Sequence, residues 1–178
     1  MELGLLLFEE GKYESTKQKQ LELSEEALQA NQPAKRVNIV SLKLVRESST
    51  LYKGRRVTSP EDAYKLVREF LVDSDRERFV VVCLDTKNQP TAINICHVGS
   101  VNASIVHPRE VMKAATISNS SSILVAHNHP SQDPTPSRED CEVTKRLVDA
   151  GKIIGIEVLD HLIVCDEKFV SLKEKGYI

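Results

Sequence analysis

The sequence predicts an α/β domain in which helices flank a mixed β-sheet, preceded by an N-terminal helical arm. Two observations predict this class: strand-like apolar runs alternate with helix starts from residue 36 onward, and a polar stretch of different composition comes before them. The chain has 178 residues, 40% hydrophobic and 28% charged, which is ordinary for one globular domain. We therefore divide it into an arm over residues 1–34 and a domain over residues 35–178.

The arm is distinguished by its composition. Residues 10–31 are rich in Glu, Lys and Gln, contain no proline and have few apolar positions. This pattern predicts one exposed helix that ends before Pro33. It leaves open whether the arm docks, dimerises or stays unpacked.

The first half of the domain contains one clear helix start and one clear buried strand. Ser59 and Pro60, followed by two acids, form a helix start with a cap and a proline at the first helical position. Residues 79–84 are continuously apolar, as in a strand buried on both faces. The elements predicted here are a strand over 37–45, a helix over 60–72, and a hairpin of strands over 79–84 and 91–98.

The second half alternates in the same way around an irregular stretch. Three prolines within residues 130–136 exclude regular structure there. Gly151 suits the position just after the end of a helix. The elements predicted here are a helix from 108, a strand over 122–126, a helix from 137 to 151, one or two strands over 153–165, and a final short helix or turn.

Charge and hydropathy exclude several classes of function. The net charge is −2, from 24 basic and 26 acidic residues, and aromatic residues are 4%, so nucleic-acid binding has no support. No apolar run approaches the roughly 20 residues of a membrane span, and the N-terminus lacks the pattern of a signal peptide. We expect a cytoplasmic protein without a membrane segment. Four dispersed cysteines without a C-x-x-C pair predict neither a disulfide scaffold nor a cysteine zinc site.

The residues that carry chemistry lie between 127 and 140. His127 and His129 are two apart at the end of an apolar strand, where alternate side chains share a face and their Cα atoms are roughly 7 Å apart. Two such imidazoles can converge on one ion. Asp140 lies about one helical turn after Ser137 and is a candidate third ligand. Two imidazoles and a carboxylate are a ligand set that suits zinc and leaves a fourth position open.

Each fragment also has an ordinary structural explanation. Residues 137–140 read Ser-Arg-Glu-Asp, which is a good helix capping box, and an isolated H-x-H pair is commonly a surface pair. The fragments together are more specific, because each residue falls where its role requires it in a strand–loop–helix arrangement. The combined pattern predicts one zinc ion per chain.

This combined pattern, H-x-H-x7-S-x2-D, resembles the JAMM (MPN-type) metalloprotease motif. The wider stretch from residue 60 to 178 is similar to the bacterial RadC family. Four segments carry that second resemblance: 106–110 (VHPRE), 127–131 (HNHPS), 136–140 (PSRED) and 159–163 (LDHLI). The resemblance implies a JAMM/cytidine-deaminase-like layered fold. RadC proteins often begin with a helix-hairpin-helix module, which the glutamine-rich arm does not resemble.

The resemblance also implies a role for each matching residue. His127, His129 and Asp140 would be the zinc ligands, and Ser137 would hydrogen-bond the reacting carbonyl or the bound water. The implied function is a zinc-dependent hydrolase that cleaves an amide bond, peptide or isopeptide, with a metal-activated water. Its partner would be a peptide or protein substrate.

The general base of the JAMM motif is a glutamate at the start of a buried strand. The matching position is Glu77, just before the apolar run, although it could also be a solvated charge among residues 73–78. Glu110, an acid at a helix start, is the rival candidate. His161 follows Asp160 in an apolar stretch, and we interpret it as a core residue or as support for a ligand.

Three other functions compete with the hydrolase. A zinc nucleobase deaminase requires H-x-E and a downstream C-x-x-C, but residue 129 is His and no such cysteine pair exists. The string His-Asn-His matches the name of the HNH nucleases by coincidence of letters. A non-catalytic or DNA-repair accessory module of the RadC family belongs to a different class and stays open.

Overall fold

The computed structural model describes residues 18–19, 36–99 and 106–178. The predicted arm over residues 1–34 lies outside the described residues except for 18–19, which are helical and exposed. The division of the chain into arm and domain therefore remains a prediction. In the described ranges, no helix has both the length and the apolar composition needed to cross a membrane.

A five-stranded sheet organises the domain, and its strand order is β2-β1-β3-β4-β5. Strands β3 and β4 are parallel and the other neighbours are antiparallel, so the predicted mixed sheet is confirmed. The elements in the described ranges are α1 (Pro60–Leu71), β1 (Glu77–Leu84), β2 (Pro90–Gly99), α2 (Pro108–Ile117), β3 (Ser122–Asn128), α3 (Arg138–Ile154), β4 (Glu157–Val164) and β5 (Phe169–Ser171).

Helices cover both faces of this sheet, which explains why β1 and β3 read as continuous apolar runs. Along each strand, successive side chains alternate between the two faces. Val80 and Leu124 face one side, in the core cluster to which α1 contributes Leu66. Val81 and Val125 face the other side, in the cluster to which α2 and α3 contribute. A three-layer α/β domain results.

The strand predicted over residues 37–45 is wrong. The structure gives this segment no strand pairing, and its apolar side chains are exposed, with Val37 at 82%, Ile39 at 102% and Val45 at 82%. Apolar β-branched residues fit a pleated surface, but a strand forms only when a partner edge satisfies its backbone groups. The first regular element of the domain is α1.

The predicted end of the long helix at Gly151 is also wrong. Helix α3 continues to Ile154 and ends with Gly155, whose φ of 81° is the left-handed conformation typical of a glycine cap. Gly151 serves another purpose, because a Cβ at this position would collide with the carbonyl oxygen of Ile156. The glycine lets the chain turn back closely against α3 before it enters β4.

The end of β3 determines where the candidate site lies. The strand runs two residues beyond the predicted 122–126 and includes His127 and Asn128. His127 pairs with Phe79 of β1 on one side and with Ile163 of β4 on the other. Because β1 runs antiparallel to β3, the beginning of β1 at Glu77 lies beside the end of β3. The structure thus brings a carboxylate and two histidines to the same end of two neighbouring inner strands.

Candidate metal centre

His127, His129 and Asp140 form one compact cluster of potential ligands. The two histidine Nε2 atoms are 3.0 Å apart. His127 Nε2 lies 3.1 Å from Asp140 Oδ1, and His129 Nε2 lies 3.5 Å from Asp140 Oδ2. The side chains of His127 and Asp140 are almost fully buried, and that of His129 is 13% exposed. The more exposed imidazole marks the side from which the cluster faces solvent.

These separations fit a tetrahedral metal centre. Bonds of 2.0–2.2 Å at tetrahedral angles place neighbouring ligand atoms roughly 3.3 Å apart. The three potential ligand atoms of this cluster lie within 4.8 Å of one another. The two closest pairs, at 3.0 and 3.1 Å, are near the tetrahedral separation. In the forms that bind metal, the two imidazole nitrogens and the carboxylate oxygen are all hydrogen-bond acceptors. Their lone pairs repel one another at this distance unless a proton or a cation lies between them. The donor set therefore suits a zinc ion.

Asp140 serves as a helix cap and as a potential ligand at once. The Ser137 backbone N–H and hydroxyl both donate to Asp140 Oδ2, at 2.8 and 2.6 Å, and the Asp140 N–H donates to Ser137 Oγ. This is the predicted capping box at the start of α3. Oδ1 is the oxygen nearer His127 and Oδ2 the one nearer His129, so the oxygen that caps the helix also faces the cluster.

The charge of Asp140 suits a ligand. Burial raises the pKa of this carboxyl, but contacts with His127 and His129 and hydrogen bonds from Ser137 outweigh burial and hold the pKa far below its ordinary value. The group is therefore an anion. The same carboxylate raises the pKa of His129, against the opposing effect of burial.

His129 is oriented by its own loop. Its Nδ1 lies 2.6 Å from the carbonyl oxygen of Asp133, which can only accept a hydrogen bond. Nδ1 therefore carries a proton, and Nε2 is the nitrogen directed to the cluster. The backbone N–H of His129 donates to the carbonyl of Val164, which anchors the loop to the end of β4.

A side-chain clasp fastens the proline-rich loop to the turn after β4. Gln132 Nε2 donates to Asp166 Oδ1 at 3.1 Å, and the Asp166 N–H donates back to Gln132 Oε1 at 2.9 Å. Gln132 has a φ of 61°, a left-handed conformation that is uncommon for a residue with a side chain. Two hydrogen bonds hold this residue in place, so the loop that carries His129 has a defined path.

Glu77 lies beside the cluster without belonging to it. Burial raises the pKa of Glu77 to about 7, with opposing contributions from His129 and Asp140. Among the described residues, the compact ligand group contains the three residues above and not Glu77. A half-buried carboxyl with such a pKa has the property required of a general base.

Glu110, the rival base, has a different environment. Lys113 Nζ lies 2.6 Å from its carboxylate and Arg109 Nε lies 3.4 Å from it, and the side chain is 43% exposed. The hydrogen bond from Lys113 lowers the pKa of Glu110. The structure therefore favours Glu77 for the base.

Asn128, which the family resemblance implied only as a residue lining the site, holds the chain on both sides of Glu77. Its Oδ1 accepts from the Arg78 N–H at 2.8 Å, and its Nδ2 donates to the Arg76 carbonyl at 3.0 Å. Asn128 is 5% exposed. Its position between the two histidines was the available signal, because an amide there can continue the pairing of β3 with β1.

We expect Asn128→Ala to lower the free energy of unfolding by about 1–3 kcal/mol, because two backbone groups lose their partners. Urea denaturation of the metal-free protein measures this change. Asn94→Ala, at an exposed position of the edge strand β2, is the matched control and should change stability by less than about 0.5 kcal/mol. Equal effects of both substitutions would contradict a stabilising role for the two hydrogen bonds of Asn128.

His161 and Thr144 form a buried extension of the cluster. His161 Nε2 lies 2.8 Å from His127 Nδ1, and His161 Nδ1 lies 2.6 Å from Thr144 Oγ1. Both residues are fully buried, and the ring of Phe79 packs edge-on against His161. Burial, followed by repulsion from His127, holds the pKa of His161 well below its ordinary value. The sequence predicted His161 to be a core residue or a support for a ligand, whereas nothing in the sequence pattern singled out Thr144.

Comparison with known proteins agrees with this architecture. The family model described as "RadC-like JAB domain" matches residues 57–177. A UPF0758 protein of Geobacillus sp. strain WCH70 is 56% identical over 142 residues, covering 79% of this chain and 63% of its own length. One from Caldanaerobacter subterraneus is 57% identical over 129 residues, covering 72% and 55%. One from Methanosarcina barkeri is 49% identical over 124 residues, covering 70% and 54%.

A layered α/β domain with two histidines at a strand end and an aspartate at the next helix start defines a class of candidate metal-binding proteins. Within that class, the chain belongs to the RadC-like JAB domain family. The resemblance to RadC is thereby confirmed. The chain spans between 54% and 63% of the length of these curated relatives.

Proposed function

We propose that this chain binds one zinc ion through His127, His129 and Asp140 and hydrolyses an amide bond in a peptide or protein substrate. The observation that carries the proposal is the convergence of three ligand atoms at separations close to those of a tetrahedral centre. Three protein ligands leave a fourth position open, as catalytic zinc sites require.

Zinc at such a site would lower the pKa of water to about 7 and polarise a carbonyl group. Glu77 would take the proton from the attacking water on its carboxylate oxygen and later give it to the leaving amine. The half-burial of Glu77 supports this assignment, because burial raises the pKa of the carboxyl towards neutrality, where the group can both accept and release a proton.

Ser137 would act mainly through Asp140. Its hydroxyl proton is directed to Asp140 Oδ2, which leaves Oδ1 directed to the centre. A hydrogen bond from Ser137 to the reacting carbonyl would require the hydroxyl to leave Oδ2 first. The geometry thus favours Ser137 as the residue that orients the carboxylate ligand.

The experiment compares zinc-loaded, chelator-treated and zinc-restored protein against a diverse peptide library that includes lysine isopeptides. We expect one zinc per chain by elemental analysis. Mass spectrometry should then find cleavage products that disappear with the chelator and return with zinc. Absence of zinc after reconstitution would contradict the metal role. Stoichiometric zinc without any cleavage would instead favour the non-catalytic accessory module.

A further inference from the structure

The hydroxyl of Thr144 has one proton and two close partners. It donates to the carbonyl oxygen of Asp140 at 2.6 Å, and His161 Nδ1 lies at the same distance. The carbonyl oxygen can only accept, so the hydroxyl proton must lie on that side. The oxygen of Thr144 is then an acceptor for His161, and Nδ1 of His161 must carry a proton.

This assignment passes to the next ring. His161 is fully buried, and Thr144 and His127 contact its two ring nitrogens. A buried imidazole without a carboxylate on either nitrogen is neutral and carries one N–H. With Nδ1 protonated, Nε2 of His161 is an acceptor. The proton in the 2.8 Å contact between the two rings therefore belongs to Nδ1 of His127.

We propose that Thr144 and His161 are positioning residues that fix His127 in the tautomer whose Nε2 is free to bind metal. The inference deepens the proposed function and rests on its metal site. The hydrogen-bonded chain from Thr144 through His161 to His127 is called the relay here. Nε2 of His127 faces Asp140 Oδ1 at 3.1 Å, so without the relay a proton on Nε2 would be favourable, because it would bond the carboxylate. The relay holds that proton on the opposite nitrogen.

Thr144→Val tests the relay because valine keeps the shape of threonine and removes the acceptor. In this variant, a proton on Nδ1 of the neutral His161 would be buried without a partner. The proton therefore moves to Nε2 of His161, which donates to His127. We expect the proton of His127 to move to Nε2, and zinc affinity to fall about 10–100-fold. Thr144→Ser keeps the hydroxyl and is the matched control, with the wild-type tautomer and an affinity within about threefold of wild type.

Two readouts separate this relay from ordinary packing. Nitrogen–proton correlation spectra of the metal-free, ¹⁵N-labelled full chain identify the tautomer of each histidine, and competition with a chromophoric chelator measures zinc affinity. Thr144→Val with the wild-type tautomer and affinity would overturn the proposal. So would a wild-type spectrum with a proton on His127 Nε2 and none on Nδ1, which decides the matter even if the valine variant fails to fold. A wild-type chain that binds no zinc refutes the metal site, whereas the predicted spectrum would show that the hydrogen-bond relay exists without it.

Discussion

Asp140→Asn should abolish stoichiometric zinc binding while the domain remains folded. Asparagine has one carbonyl oxygen, which is needed to accept from the Ser137 N–H and preserve the capping box. Its amide nitrogen would then face His127 Nε2, 3.1 Å from the present Oδ1, and would donate to that nitrogen. The variant thus replaces the proposed anionic ligand with a hydrogen-bond donor. We expect zinc affinity to fall at least about 100-fold, with metal-free stability within about 1 kcal/mol of wild type.

Glu139→Gln is the matched control for this substitution. Glu139 is exposed in the same first turn of α3, so its neutralisation makes the same change in charge near the helix N-terminus. Chelator competition and urea denaturation of both variants separate ligand loss from helix destabilisation. If Asp140→Asn retained a full equivalent of zinc, the carboxylate would not be a ligand. If the variant merely unfolded, capping would be its main role.

Glu77→Gln should retain zinc and lose hydrolysis. Glutamine has nearly the same size but cannot accept a proton, so we expect the rate with any cleaved peptide to fall about 10²–10⁴-fold. Glu110→Gln changes the rival carboxylate, which already pairs with Lys113, and should leave the rate unchanged. Zinc content and peptide cleavage are measured for both variants. A loss of rate in Glu110→Gln but not in Glu77→Gln would reverse the assignment.

The pH dependence provides a second check on Glu77. A base must be unprotonated to act, so the wild-type rate should rise as pH increases through the pKa of Glu77. Burial places that pKa at about 7 in the metal-free protein. A nearby cation favours the carboxylate, so the limb in the zinc-loaded protein should lie below pH 7. This rising limb should be absent from the residual activity of Glu77→Gln.

The sequence predicted helices α1 to α3 and the first four strands of the sheet well, because their signals are local, whereas β5 lies where only a short helix or turn was expected. The apolar run of β1 and the cap at Ser59 each specify an element through neighbouring residues. The strand predicted over residues 37–45 was wrong for the opposite reason, because strand formation depends on a partner edge that composition does not specify. The helix end predicted at Gly151 was wrong because a glycine in the sequence is typical of a helix end, whereas this glycine is required by a close tertiary contact with Ile156.

The candidate site divides in the same way. His127, His129 and Asp140 share a short motif, and their spacing on a strand, loop and helix sufficed to propose one cluster. Thr144 belongs to α3 and His161 to β4, and these elements meet only when α3 packs on the sheet. No sequence spacing relates the two residues. The contact between Thr144 and His161 therefore required the fold, whereas the three candidate ligands did not.

The clasp between Gln132 and Asp166 has a consequence for the kinetics of ion uptake. Because this clasp and the loop prolines hold the segment that carries His129 in place in the folded chain, uptake of an ion at the proposed site should require no slow closure of that segment. We therefore expect uptake to be a single step, first order in free ion. Its rate should be governed by diffusion and by the shedding of the ion's own hydration shell.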